Sequence, residues 1–306
     1  MQQSGPPWPM PSPMQQGDRV TIAAPSSALG DGTSLSAGIT VLESWGLRVN
    51  TPTCQGRRWG YLAGLDSERI SDLTGNDGSA LLACARGGWG AARLLEQPIP
   101  WREQWFLGFS DITALLCSRM ARGFGGGIHG PLVTTLADEP AWSRQRLHDL
   151  LFGHPVAPLQ GTCWSGGKVS GPLLTVNLTV ASHLLGSHHL PDLRGAILVI
   201  EDVGEAPYRL DRMLTHWRLA GALQDLAGLG FGRFSGCSDP EDNTDPAHGF
   251  SLEQVLRERS QSLGCPVVAN LPVGHGSGGN AALPMGVVAQ LDGDAGTLTL
   301  ESTLQR

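Results

Sequence analysis

Along this chain, apolar residues come either in short unbroken runs or in stripes at helical spacing. Asp18–Ala24 reads as a first strand, closed by Pro25-Ser26-Ser27. Leu35, Ile39, Leu42 and Trp45 then fall on one side of a helix over Leu35–Trp45, with Gly46 placed to end it. Leu47–Val49 begins another strand, and Ser79–Ala85 is an apolar run that suits a strand buried on both faces. Ala91–Leu95 starts a helix after the glycine-rich turn Arg86-Gly87-Gly88-Trp89-Gly90. A further apolar run ends at Gly108, and Ile112, Leu115 and Leu116 open an amphipathic stretch just beyond it. This β-α-β-α succession predicts a parallel sheet covered by helices, with the working loops at the strand C-terminal ends.

The second half is patterned differently. Val176–Leu185 reads as a helix, Ala196–Ile200 as a strand, and Tyr208–Leu223 as an amphipathic helix with Leu210, Met213, Leu214, Trp217 and Ala220 on its apolar side. Leu252–Leu263 is another helix and Pro266–Leu271 another strand. Gly286–Leu291 and Gly296–Leu300, joined at Asp292-Gly293-Asp294-Ala295, alternate as a terminal β-hairpin does. The segment 154–170 is rich in Gly, Pro, Thr and Ser, and reads as an interdomain linker between an N-terminal domain (17–153) and a C-terminal domain (171–306). The expected class is α/β: a parallel-sheet domain with flanking helices, followed by a smaller α/β domain containing mixed β structure.

Composition narrows the partners. With 306 residues and 41% hydrophobic content the chain can bury a substantial core. Its net charge of −7 and lack of a Lys/Arg run argue against a nucleic-acid surface. No apolar run approaches a membrane span of roughly 20 residues. Residues 1–16 have neither a basic start nor an apolar core, and read as a disordered tail rather than a secretory signal. The six cysteines contain no C-x-x-C pair, and Cys84 and Cys117 lie in apolar surroundings, as expected of reduced thiols in the cytoplasm.

The strand-to-helix turn at Gly108-Phe109-Ser110-Asp111-Ile112 lifts Ser110 out of the sheet beside the free N–H groups of a helix start. It lacks the second glycine of the G-x-S-x-G elbow, and a serine there also serves as an ordinary helix N-cap. A nucleophilic serine needs a base and a group to orient that base. Among the histidines, His154, His183, His188 and His189 fall in a helix or polar connections, and His129 sits in a tight apolar segment that suits a structural hydrogen bond equally well. His275 lies in the glycine-rich loop Gly274-His275-Gly276-Ser277-Gly278-Gly279, which can aim a side chain outward. Glu201 ends the apolar run Ile197–Ile200, where a carboxylate needs a partner: an N-cap, an ion pair with Arg209 or Arg212, or a histidine. The turn at 86–90 offers backbone donors to an oxyanion but is neither a P-loop nor G-x-G-x-x-G, and no zinc-binding spacing is present.

Several short segments in fixed order resemble the LD-carboxypeptidase family, which includes the microcin C self-immunity peptidases. They are Ile22–Ser26, Arg86–Gly90 with Arg93-Leu94-Leu95, Gly108–Thr113, His129-Gly130-Pro131, Leu198–Glu205 with Tyr208–Leu214, and Gly274-His275 with Leu283–Gly286. The resemblance implies a catalytic Ser110, a general base at His275 and an orienting Glu201, brought together across a domain interface. It implies an oxyanion hole from the Asp111 and Gly88 amides, with Arg86 and Trp89 near the substrate. It further implies a cytoplasmic, cofactor-free homodimer that removes the terminal D-alanine from murein tetrapeptides. Two departures bear on substrate: Thr175-Val176-Asn177-Leu178 replaces the family's Gly-Gly-Asn-Leu, and Trp89 replaces a tyrosine. The alternatives are an immunity-type peptidase acting on an aminoacyl nucleotide, with Trp164 stacking on the base, and a non-catalytic murein-peptide binding protein.

Overall fold

The structure is a computed structural model that describes residues 8–50, 52–75, 78–238 and 249–301. Strands β1 (Arg19–Ala23), β2 (Arg48–Val49), β3 (Leu81–Cys84), β4 (Trp105–Gly108) and β5 (Gly127–His129) pair in parallel. All residues of β3 and β4 are buried, which is why they read as unbroken apolar runs. Helices α1 (Thr33–Ser44), α2 (Asp66–Thr74), α3 (Thr113–Ala121), α4 (Val133–Leu136) and α5 (Ala141–Leu151) belong to this half.

The second sheet contains β6 (Leu159–Gln160), β7 (Thr162–Ser165), β8 (Lys168–Asn177), β9 (Ile197–Val203), β10 (Gly228–Ser235) and β11 (Val267–Ala269), with α6 (Leu178–Ser182), α7 (Pro207–Leu219) and α8 (Leu252–Ser260) between them. Next, β12 (Leu283–Pro284) returns to the first sheet and pairs antiparallel with β5. The hairpin β13 (Val288–Asp292) and β14 (Thr297–Leu300) then joins the second sheet, as its alternation predicts. The resulting orders are β12-β5-β4-β3-β1-β2 and β6-β14-β13-β8-β9-β10-β11-β7. In the second, β8 to β11 are parallel and the flanking pairs antiparallel, so the sheet is mixed.

One apolar cluster joins the two halves: Leu82, Phe106 and Leu115 from the first meet Leu174, Leu198 and Leu214 from the second. A buried hydrogen bond from Asn177 N to Thr113 Oγ1 (3.1 Å) crosses the same boundary. Among the described residues, no helix is long and apolar enough to cross a membrane.

Four expectations change. Residues 8–16 are packed rather than loose: the Trp8 indole donates to Met120 O (2.8 Å), Trp105 Nε1 to Ser12 O (2.9 Å), and Met14 is buried. Residues 1–7 of the expected tail lie outside the described residues. The expected linker 154–170 supplies β6, β7 and the start of β8, because Leu159 and Gln160 pair with β14, and Thr162, Cys163 and Ser165 with β11. The helix expected over Val176–Leu185 shrinks to α6, since Val176 and Asn177 still pair with β9 and Asn177 Oδ1 caps the helix by accepting Val180 N–H (3.0 Å). Ala92–Glu96 is a single 3₁₀ turn rather than the start of a longer helix.

Candidate active site

Ser110 follows β4 by two residues and opens a 3₁₀ turn that runs into α3. Its φ is +63°, and only Asn270 shares a positive φ among the described non-glycine residues. Such a conformation costs on the order of 1 kcal/mol and persists only where surroundings impose it. Here they do: the Asp111 carboxylate, buried beneath the turn, accepts Ser26 Oγ–H and the Ala91 amide (2.8 Å). One side chain thereby ties the end of β1, the turn at 86–91 and the serine turn together. Burial pushes the Asp111 carboxyl above its ordinary value, only partly offset by hydrogen bonds from Ser26, Ala91 and Gly90.

The glycine turn approaches the serine closely. A Cβ on Gly87 would stand 2.9 Å from Ser110 Cβ, 3.1 Å from its Oγ and 3.5 Å from the Asp111 amide nitrogen. That amide lies in the first turn of a helix, where N–H groups have no intrahelical acceptor. Gly88 has φ +110°, which L side chains rarely adopt. Gly87→Ala is therefore expected to displace the serine and cut kcat by about 10–100-fold, the cost of roughly 1 Å of misplacement. A folded Gly87→Ala protein with unchanged kcat would show that the close packing does not position Ser110.

Glu201 lies on β9, fully buried. Its Oε2 accepts His275 Nδ1–H (2.7 Å) and the His275 backbone N–H (3.1 Å), while Oε1 accepts Asn177 Nδ2–H (3.2 Å). His129 Nε2 stands 3.8 Å from Oε1, beyond hydrogen-bond length. Burial alone would raise the Glu201 carboxyl, but the facing His129 and His275 rings outweigh it and hold it at about 2. The approach of the His275 loop needs glycine: Gly274 has φ +97°, and a Cβ there would come within 2.6 Å of Glu201 Cβ. The loop is held by Asn280 Oδ1 accepting Gly274 N–H (2.7 Å) and by Ser235 Oγ–H donating to His275 O (2.7 Å).

Ser110 and His275 line one cavity of about 510 Å³, with Phe109, Gly87, Gly88 and Arg86 in its wall. The Phe109 ring lies 4.7 Å from the His275 ring. Arg86 is partly anchored, donating to Ala28 O (2.8 Å). Trp89 is 53% exposed and is not among the cavity-lining residues. Trp164 lines a different cavity, its ring against Phe231 (5.5 Å) and under the Arg257 guanidinium (4.2 Å). The structure thus does not bring Trp164 to Ser110, because β7 carries it to the far edge of the second sheet.

Four further histidines are engaged elsewhere. His148 and His154 contact Asp149, His183 bonds Thr179 O, and His189 bonds Ser118. Glu201 makes no use of Arg209, which pairs with Glu205 (3.4 Å), and Asp202 instead accepts from Thr179 (2.9 Å). Asn177, Asn280, Ser26 and Ser235 have positioning roles that residue type and spacing did not reveal. Ser26 and Asn177 lie in segments compared with the family, Ile22–Ser26 and Thr175–Leu178, but neither segment showed what their side chains bond. A strained serine turn and a carboxylate-bound imidazole opening on one cavity form the groups that acyl transfer requires.

Known proteins resemble this chain along most of its length. The LD-carboxypeptidase N-terminal domain matches residues 20–130 and the LD-carboxypeptidase C-terminal domain residues 170–291. A Synechocystis sp. protein named only as a carboxypeptidase is 46% identical over 94% of this chain and 96% of its own. The murein tetrapeptide carboxypeptidase of Pseudomonas aeruginosa is 33% identical over 90% of this chain and 94% of its own. The muramoyltetrapeptide carboxypeptidase structure from Oxalobacter formigenes superposes with a TM-score of 0.81 at 27% identity, covering 92% of this chain and 97% of that one. The microcin C7 self-immunity protein shares the fold, with a TM-score of 0.80 at 18% identity over 97% and 100% of the two chains. By sequence and by fold, the chain belongs to the LD-carboxypeptidase family.

Proposed function

We propose that this protein is a serine carboxypeptidase that releases the terminal D-alanine of murein tetrapeptides, cleaving the bond between an L-centre and D-Ala. The observation that carries the reading is the 2.7 Å Glu201–His275 contact, whose imidazole opens on the same cavity as the strained Ser110 turn. With Nδ1–H committed to Glu201, Nε2 is the basic nitrogen. It takes the Ser110 proton as Oγ attacks the scissile carbonyl.

The tetrahedral oxyanion is held by the Asp111 and Gly88 amides. His275 then returns the proton to the leaving D-Ala amine, and water, deprotonated by the same nitrogen, releases the acyl group and restores Ser110. Arg86 receives the free C-terminal carboxylate of the substrate, and Trp89 flanks the entrance. Among the described residues the Ser110 hydroxyl has no hydrogen-bond partner, and its hydrogen bond to His275 forms when substrate fills the cavity that both line. No cofactor enters this scheme. We place the enzyme in the cytoplasm, where its free thiols persist, and read it as a homodimer, a state that light scattering of the purified chain tests.

The deciding assay offers tetrapeptides that differ at the third position and in the chirality of the terminal residue, and follows D-Ala by liquid chromatography. D-Ala release from the L,D bond, with none from an L-Ala terminus, is the expected result. Hydrolysis of an aminoacyl-nucleotide conjugate in place of the tetrapeptide would move the activity to the immunity class. Tetrapeptide binding without turnover or an acyl adduct on Ser110 would leave a binding protein.

A further inference from the structure

His129 is the only histidine that is fully buried among the described residues, and neither of its ring nitrogens has a hydrogen-bond partner. It is carried by β5, paired with Gly108 on β4, so its ring rises beside the serine turn from the first sheet. Its Nε2 faces Glu201 Oε1 of the second sheet at 3.8 Å. That carboxylate is unevenly served. Oε2 accepts twice from His275, whereas Oε1 has only Asn177 Nδ2–H at 3.2 Å, a group shared with Asp202 Oδ1 at the same distance. A buried anion short of donors and a buried imidazole short of acceptors both cost free energy, and each is the other's remedy. The Phe109 ring packs against both imidazoles, 5.6 Å from His129 and 4.7 Å from His275.

We infer that His129 is a positioning residue for the Glu201–His275 pair, donating Nε2–H to Glu201 Oε1 once the occupied site closes by less than an ångström. The inference rests on the reading of Ser110, Glu201 and His275 given above. It makes the carboxylate a bridge, fixed on one oxygen by the half that carries Ser110 and on the other by the base. A donor on Oε1 also draws charge from Oε2 and weakens its hold on the His275 proton. Removing His129 therefore makes Glu201 a stronger partner and moves the His275 titration to higher pH. The sign is the same whether the lost ring is neutral or protonated. The other ionisable groups nearby are Asp202 behind Asn177, Asp111 beneath the serine turn and Arg86 across the cavity, and all remain in the variants.

The test compares full-length wild type, His129→Phe and His129→Gln by the pH dependence of kcat/KM for D-Ala release. It also follows the His275 titration by NMR in a Ser110→Ala background, with and without His129→Phe. His129→Phe is expected to lower kcat about tenfold with KM little changed, and to move the acid limb up by about 0.5–1 pH unit. His129→Gln, whose amide donates from a similar position, recovers most of the rate. An unmoved limb and an unmoved NMR titration overturn the inference, as does equal loss in Phe and Gln with KM rising, the mark of a packing role. Should phenylalanine not fit, His129→Leu takes its place. Turnover retained in Ser110→Ala would instead strike the catalytic reading, and the NMR titration decides the His129 link separately.

Discussion

Ser110→Ala is expected to fold as the parent does and to lose D-Ala release by at least about 10⁴-fold in kcat. The substitution removes one oxygen and keeps the Cβ, so the left-handed backbone at φ +63° is no more strained than before. What imposes that conformation, the Asp111 carboxylate on Ser26 and Ala91, is untouched. The hydroxyl makes no hydrogen bond to the described residues, so its loss orphans no buried partner. The thermal midpoint should stay at the parental value. The remaining activity reflects the amide donors and substrate binding, which survive without the nucleophile. A serine-reactive fluorophosphonate should label the parent and leave the variant unlabelled. Turnover at the parental rate would sink the nucleophile assignment, and a collapsed midpoint would show Ser110 to be structural.

The parallel half of the fold was legible because β3 and β4 are buried on both faces, and buried strands declare themselves as apolar runs. The second sheet shows β9, β11 and its closing hairpin but hides other strands. β10 reads Gly-Leu-Gly-Phe-Gly-Arg-Phe-Ser, a turn-like composition, yet Gly230 and Gly232 are strand residues chosen for close packing. A Cβ on Gly232 would come 2.6 Å from Val273 O, the chain that leads to His275. α5 was missed for another reason: its Arg146 is buried, spending its guanidinium on the carbonyls of Ala282 and Ala157 (3.0 and 2.6 Å), so the apolar stripe is interrupted by a charge. The prolines of residues 8–16 resemble a disordered segment, and only the Trp8 and Met14 anchors contradict that.

At the site, the serine turn showed itself locally, by a strand end meeting a helix start. The Glu201–His275 pairing did not, since 74 residues separate the two and the contact depends on Gly274 lacking a side chain. Ordered resemblance to a family supplied it in advance of geometry. Asp111 was expected to contribute an amide; its carboxylate proves to be the tie that shapes the turn.

Glu201→Gln is expected to lower kcat by about 10³–10⁴-fold while preserving side-chain volume. If the new amide turns its oxygen to His275, its NH₂ meets the Asn177 Nδ2 donor at the old 3.2 Å position. If it turns the NH₂ to His275, two donors face the Nδ1–H and the His275 amide, and the ring escapes by moving its proton to Nε2, where it no longer accepts from Ser110. Either way the negative charge that stabilises the imidazolium formed during attack is gone. The same substitution has a stability signature. Glu201 titrates at about 2 in the folded chain against 4.5 ordinarily, so on acidification the unfolded chain takes up its proton first. The stabilisation from the ionised carboxylate is complete above about 4.5 and fades as pH falls toward about 2, each pH unit being worth about 1.4 kcal/mol. At pH 7 the glutamine variant should be less stable by about 1–3 kcal/mol, the cost of a buried group left unpaired. Because glutamine does not titrate, urea midpoints of the two proteins should converge as pH falls from 7 through 4 to 3. Midpoints that stay parallel across that range would mean that the Glu201 carboxyl takes up its proton alike in the folded and unfolded chains, and the hold of His275 on its charge, on which the orienting role rests, would fall.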